Sequence, residues 1–106
     1  FDLKHDRGGM IDIEFTVQYL VLAHSHLHAE LTRNLGNIAL LGMASSLGLI
    51  PNALAEECRN AYRKFRRLQH ALRLNGARYA RVPLAQVAAK SEAVRNLWQA
   101  VFSGYQ

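Results

Sequence analysis

Apolar residues along this chain recur at helical spacing. In a first segment, from about Met10 to Ala29, Ile13, Val17, Leu20 and Leu27 fall on one stripe, and Ile11, Phe15, Tyr19 and Leu22 fall on another. A helix apolar on two sides is packed on two sides, so this one is expected at the centre of a bundle or against a further domain. Ile11 to Val17 also alternate as a strand would, but the run stays apolar through Val21 and Leu22, which favours helix. A second segment, about Gly36 to Leu47, carries Ile38, Leu41, Ala44 and Leu47, with Leu40 beside them. Gly48 then suits a left-handed stop, and Leu49-Ile50-Pro51 an extended one.

The third segment has the clearest pattern. Leu54, Cys58, Ala61, Phe65, Leu68 and Leu72 recur at spacings of 4, 3, 4, 3 and 4, a single buried seam. Asn52 is expected to cap it, Glu56 and Glu57 to meet the positive end of its dipole, and Asn75-Gly76 to end it. The fourth segment runs from about Leu84 to Phe102, with Pro83 in its first turn and Gly104 closing it. Val87, Val94, Leu97, Trp98, Val101 and Phe102 form its apolar face. These patterns predict an all-α fold, a helical bundle of about four main helices with short loops.

Length and composition bound this picture without changing it. A chain of 106 residues, half of them apolar, is expected to form one helical domain, residues 1–106, with a real core. No apolar run is long enough to span a membrane, and no signal pattern opens the chain. It starts at Phe1, without Met, and reads as a piece of something longer. The lone Cys58 excludes an internal disulfide framework, fits a reducing, cytoplasmic setting, and in a helical seam reads as a buried structural thiol.

Charge does change it. Residues 1–50 hold three Lys/Arg against five Asp/Glu, whereas residues 51–106 hold ten against three. Within the excess, Arg59, Arg63, Arg66, His70 and Arg73 lie one position round from the apolar seam, as a second stripe. The excess centres on Arg59 to Arg81, and such a patch either attracts phosphate, nucleic acid or an acidic protein surface or is simply a solvated helix face. Nucleic acid is the poorer partner, since no aromatic residues interleave with these arginines.

Candidate chemistry concentrates at the start. No P-loop, dinucleotide fingerprint or nucleophile elbow is present. His24 and His28 stand at a zinc spacing, but no Glu lies between them as in H-E-x-x-H and no third ligand is evident, so no metal site is assigned. The densest constellation is Lys4-His5-Asp6-Arg7-Gly8-Gly9-Met10-Ile11-Asp12-Ile13-Glu14-Phe15. Paired glycines before a helix expose unpartnered amides beside Lys4 and Arg7, a combination able to hold a phosphate. Asp12 and Glu14 lie about 200° apart on a helix and so do not chelate one ion together. The alternative is that Gly8-Gly9 is a turn and both carboxylates complement the helix N-terminus.

The stretch from Leu3 to Phe15, with Gln18-Tyr19-Leu20 and His24 after it, resembles the bacterial glutamine synthetase adenylyltransferase/adenylyl-removing enzymes. In that family a G-G-x-x-D-I-E-F-x-x-Q-x-L signature opens the helical domain behind each nucleotidyltransferase domain, and the uridylyltransferase of the PII signalling protein has a similar helical domain. The likeness continues through Leu31-Thr32-Arg33-Asn34 to Val94-x-x-Leu97-Trp98. It implies the C-terminal helical domain of a multidomain nucleotidyltransferase. That enzyme moves AMP from ATP to a tyrosine of glutamine synthetase and removes it by phosphorolysis, in nitrogen regulation.

This chain lacks the family's G-S…D-x-D motif, so Mg²⁺ and ATP are expected in the full-length enzyme and neither on this piece, which is expected to be inactive alone and to hold no catalytic residue. By the resemblance, Lys4, Arg7, Gly8, Gly9, Asp12 and Glu14 lie near the nucleotide, and the chain completes one wall of the catalytic cleft. The competing expectation is a regulatory module in which Arg59, Arg63, Arg66 and Arg73 dock on glutamine synthetase or PII.

Overall fold

The fold is seen in a computed structural model, which describes residues 1–33 and 35–103. It contains four α-helices: α1 (Met10–His24), α2 (Asn37–Ser46), α3 (Asn52–Leu74) and α4 (Leu84–Phe102), with a short 3-10 turn, Ala29–Thr32, between α1 and α2. The all-α expectation holds. Gly104, expected to close the last helix, lies outside the described residues.

The boundaries depart from expectation in physically readable ways. The first helix stops at His24, five residues early. Ser25 caps it through its own amide to Val21, and the amides of Leu27 and His28 both turn back to the His24 carbonyl. The His-Ser-His-Leu-His run has weak helical propensity, and Leu27, expected on the buried stripe, ends up 73% exposed. Asn52 does not cap α3. Pro51 holds the capping position in an extended conformation, and the Asn52 side chain instead accepts a bond from the Ser45 hydroxyl at 2.8 Å. Pro83 likewise precedes α4 as its cap residue. Glu56 and Glu57 fall beyond the first turn of α3. Gly48 and Gly76 take the left-handed stops expected of them, with φ of 76° and 78°.

The core sits between α3 and its neighbours. Cys58, Ala61 and Phe65 of the predicted seam are fully buried, and Leu54, Leu68 and Leu72 are partly buried. Val87, Val94 and Leu97 of α4 close over them. The Cys58 thiol donates to the Ala93 carbonyl at 3.3 Å, and burial pushes its pKa up to about 12.

Leu3, Ile50 and Val82 join the core from outside the helices, and Leu31 is buried within the 3-10 turn. Leu3 and Val82 arrive through a clamp between the first residues and the α3–α4 connection. The Leu3 amide donates to Ala80, the Val82 amide donates to Phe1, and the Phe1 amino group donates to Val82, all within 2.9 Å.

Only one of the two apolar stripes of α1 is buried. Ile13, Val17 and Leu20 face the core, whereas Ile11, Phe15 and Leu22 are 38%, 55% and 78% exposed. The expected packing on both sides of α1 is therefore not seen within this chain, whose second apolar side stays open.

Candidate functional site

The signature segment forms a closed knot. Asp2 organises its first turn: one carboxylate oxygen accepts the amides of Lys4 and His5 at 2.9 Å, and the His5 ring stands 3.3 Å away. Burial raises the Asp2 pKa, but those amides and the His5 imidazole outweigh it and hold the carboxyl below its ordinary value. Gly9, Met10 and Ile11 then donate their amides to the carbonyls of Asp6, Leu3 and Lys4. The Gly8 amide donates to Asp12 Oδ2 at 2.8 Å.

This corrects the picture of free amides around a phosphate. Gly8 and Gly9 are buried, and the amides from Gly8 to Ile11 point into the molecule. The glycines serve close packing. Gly8 has φ of 83°, and a Cβ there would lie 2.3 Å from the Ser91 hydroxyl of α4. A Cβ on Gly9 would lie 2.7 Å from the Leu3 carbonyl.

The two carboxylates of the signature part company, as their angular separation requires. Asp12 turns to the knot, where Arg7 Nε stands 3.4 Å from the same oxygen that takes the Gly8 amide. Glu14 turns to the bundle and accepts the Tyr62 hydroxyl at 2.9 Å. Asn37 donates to that hydroxyl at 3.2 Å, so one cluster ties α1, α2 and α3. Burial and the bond to Glu14 raise the Tyr62 pKa. Sequence reading missed Tyr62 and Asn37, because nothing local marks two residues 25 positions apart as partners.

Of the six residues predicted near a nucleotide, Lys4 and Arg7 alone are exposed. The Arg7 guanidinium lies 4.8 Å from the centre of the Trp98 ring. Trp98 stacks on Phe15 at 5.4 Å and meets Phe102 at 4.5 Å, and Phe102 meets Tyr19 at 4.8 Å. The open face of α1 thus continues across α4 as an aromatic surface, with Arg7 at its edge.

Of the predicted docking stripe, Arg59 is engaged internally. It pairs with Glu56 at 2.6 Å and lies over Gly42 of α2. Arg63 binds the Asn60 side chain at 2.9 Å, and Arg66 and Arg73 are exposed. The described residues contain no group of three His, Cys, Asp or Glu placed to hold a metal ion, and no helix long and apolar enough to cross a membrane.

Comparison with known proteins places this geometry in a family. Residues 1–100 match the family described as GlnD PII-uridylyltransferase. Curated relatives carry the name bifunctional glutamine synthetase adenylyltransferase/adenylyl-removing enzyme. The protein of Ralstonia nicotianae is 63% identical over 96% of this chain. That of Aromatoleum aromaticum is 59% identical over 96%, and that of Bordetella bronchiseptica 57% over 95%. The chain spans about 11% of the length of these relatives. No solved structure matches it. With a match across nearly all its residues and the signature turn at its start, the chain belongs to the family described as GlnD PII-uridylyltransferase, as a relative of the glutamine synthetase adenylyltransferases.

Proposed function

We propose that this chain is the C-terminal helical domain of a cytoplasmic enzyme that transfers AMP from ATP to a tyrosine of glutamine synthetase and removes it by phosphorolysis, in nitrogen regulation. In this reading the domain carries no catalytic residue. It packs on a nucleotidyltransferase domain of the same protein and completes one wall of its cleft. The observation that carries it is the open face of Ile11, Phe15 and Leu22, joined to Trp98 and Phe102 beside the signature turn. An apolar surface so placed asks for a covering partner. Lys4 and Arg7, at the rim of the knot, are the exposed cations that could approach phosphates, Arg7 from its place beside Asp12 and Trp98.

Asp12 holds the turn and Glu14 holds Tyr62, and among the described residues no group of three His, Cys, Asp or Glu is placed to hold a metal ion. Mg²⁺ and ATP are assigned to the catalytic domain, and no step is routed through this chain.

The test is the exposed Phe15→Asp substitution in the full-length protein. AMP transfer is expected to fall at least about tenfold, because a carboxylate buried without a partner is strongly disfavoured. The same change in the 106-residue chain should lower its unfolding midpoint only by the several degrees that loss of the Trp98 and Phe102 ring contacts costs, leaving it folded. Wild-type AMP transfer would refute the reading.

A second reading rests on the exposed cations of α3: a regulatory module that docks on glutamine synthetase or PII. Arg63→Glu with Arg66→Glu separates the two. Lost partner binding with normal ATP affinity favours docking, and unaltered partner binding removes it.

A further inference from the structure

A cleft of about 180 Å³ lies between the N-terminal turn and the end of α3, away from the aromatic face. Lys4, from the N-terminal turn, and Arg73 and Arg78, from the end of α3 and the connection after it, are among the residues that line it. Asp2 is the only carboxylate in the lining, and the His5 ring and two amides already engage it. No carboxylate stands within 4.0 Å of Lys4, Arg73 or Arg78 among the described residues. Three cations therefore line one cleft without an ion-pair partner.

Two further features make this a site more than a charged surface. The N-terminal turn and the α3–α4 connection that line it are tied to each other by the clamp bonds of Leu3 to Ala80 and of Phe1 to Val82, and Ala80 itself lines the cleft. Lys4 and Arg73 have no competing internal task, and the Arg78 guanidinium lies 5.8 Å from the centre of the Tyr79 ring. The last carbonyls of α3 are already closed by Asn75, Gly76 and Ala77, whose amides donate to Ala71, Arg73 and Leu72. Arg73 is thus not needed to satisfy the helix end. Gln69 adds an amide, and the exposed Tyr79 ring, 4.7 Å from the Arg81 guanidinium, forms the outer lip.

We propose that this cleft binds a diphosphate group. A concave site of this size, with three cations in its lining, suits a compact polyanion with many acceptor oxygens better than it suits a protein surface. The diphosphate is either free or part of a nucleotide whose base rests on Tyr79. The proposal shares Lys4 with the proposed nucleotide-facing turn but can be tested on this chain alone, through Arg73 and Arg78.

Titration calorimetry of the chain with inorganic pyrophosphate and with ADP tests it. Saturable binding of one equivalent is expected. Arg73→Gln with Arg78→Gln should weaken it at least about tenfold, as expected when charge-assisted bonds are lost. Arg63→Gln with Arg66→Gln, outside the cleft, should leave it within about twofold. Tighter binding of ADP would assign a nucleotide, and equal or tighter binding of pyrophosphate a free diphosphate. Both exchanged pairs are surface residues, and matching circular dichroism spectra verify folding. No saturable binding, or equal weakening by the two pairs, would overturn the proposal.

Discussion

Replacing Gly8 by alanine is expected to destabilise the chain by about 2–5 kcal/mol, the combined order of a left-handed residue given a Cβ and an overpacked contact. The residue sits at φ of 83°, and the new methyl would lie 2.3 Å from the Ser91 hydroxyl and 2.7 Å from the Ser91 carbonyl. The hydroxyl can rotate away, but the carbonyl belongs to the backbone of α4 and cannot move without the helix. For a domain of this size the unfolding midpoint should fall by roughly 10–30 °C. Gly48→Ala is the matched control. It has φ of 76° and open space around it, so it should show the conformational penalty alone, about 1–2 kcal/mol. Thermal unfolding followed by circular dichroism measures both. Equal losses would show that the knot does not press on α4.

The second large effect concerns Glu14. Its removal leaves the Tyr62 hydroxyl, on a residue only 6% exposed, without its acceptor. Glu14→Ala should therefore cost about 1–3 kcal/mol in urea unfolding. Tyr62→Phe should cost a similar amount. The double variant should cost less than the two together, because each removes the same bond. Glu14→Gln keeps an acceptor and should be the mildest. Additive losses would mean that the bond contributes nothing and that the carboxylate is free for another task.

How far the sequence showed this molecule depends on how local the cause is. The third helix was legible because its apolar spacing is a property of consecutive turns, and Cys58, Ala61 and Phe65 are buried as the seam predicts. The fourth helix, Leu84–Phe102, has the bounds its flanking Pro83 and apolar run imply. The early end of the first helix was not legible. Leu27 continues the periodicity, but the three alternating histidines weaken the backbone, and the chain turns on His24.

Leu3 and Val82 were invisible for another reason. They reach the core through hydrogen bonds between residues about 80 positions apart, which no window of sequence contains.

The candidate site was half legible. The separation of Asp12 from Glu14 follows from helix geometry alone. Their partners do not: the Gly8 amide turns inward, and Tyr62 comes from another helix. The glycine pair pointed to unfilled amides, but the carbonyls of Leu3, Lys4 and Asp6 fill them. The two apolar stripes of α1 were correctly read as two faces, and only the three-dimensional packing shows which one remains open.

The central claim is that this open face is covered in the full-length protein. Labelling of Leu22→Cys with a maleimide tests it most directly. Leu22 is 78% exposed, so the introduced thiol should react fast in the 106-residue chain. The native Cys58 is fully buried with its pKa raised to about 12, and should stay silent in the folded state. In the full-length protein the Leu22→Cys thiol is expected to react at least about tenfold more slowly, and to recover the fast rate when Phe15→Asp is added, since a carboxylate there disfavours burial of the face. A rate in the full-length protein equal to that of the chain alone would contradict the account.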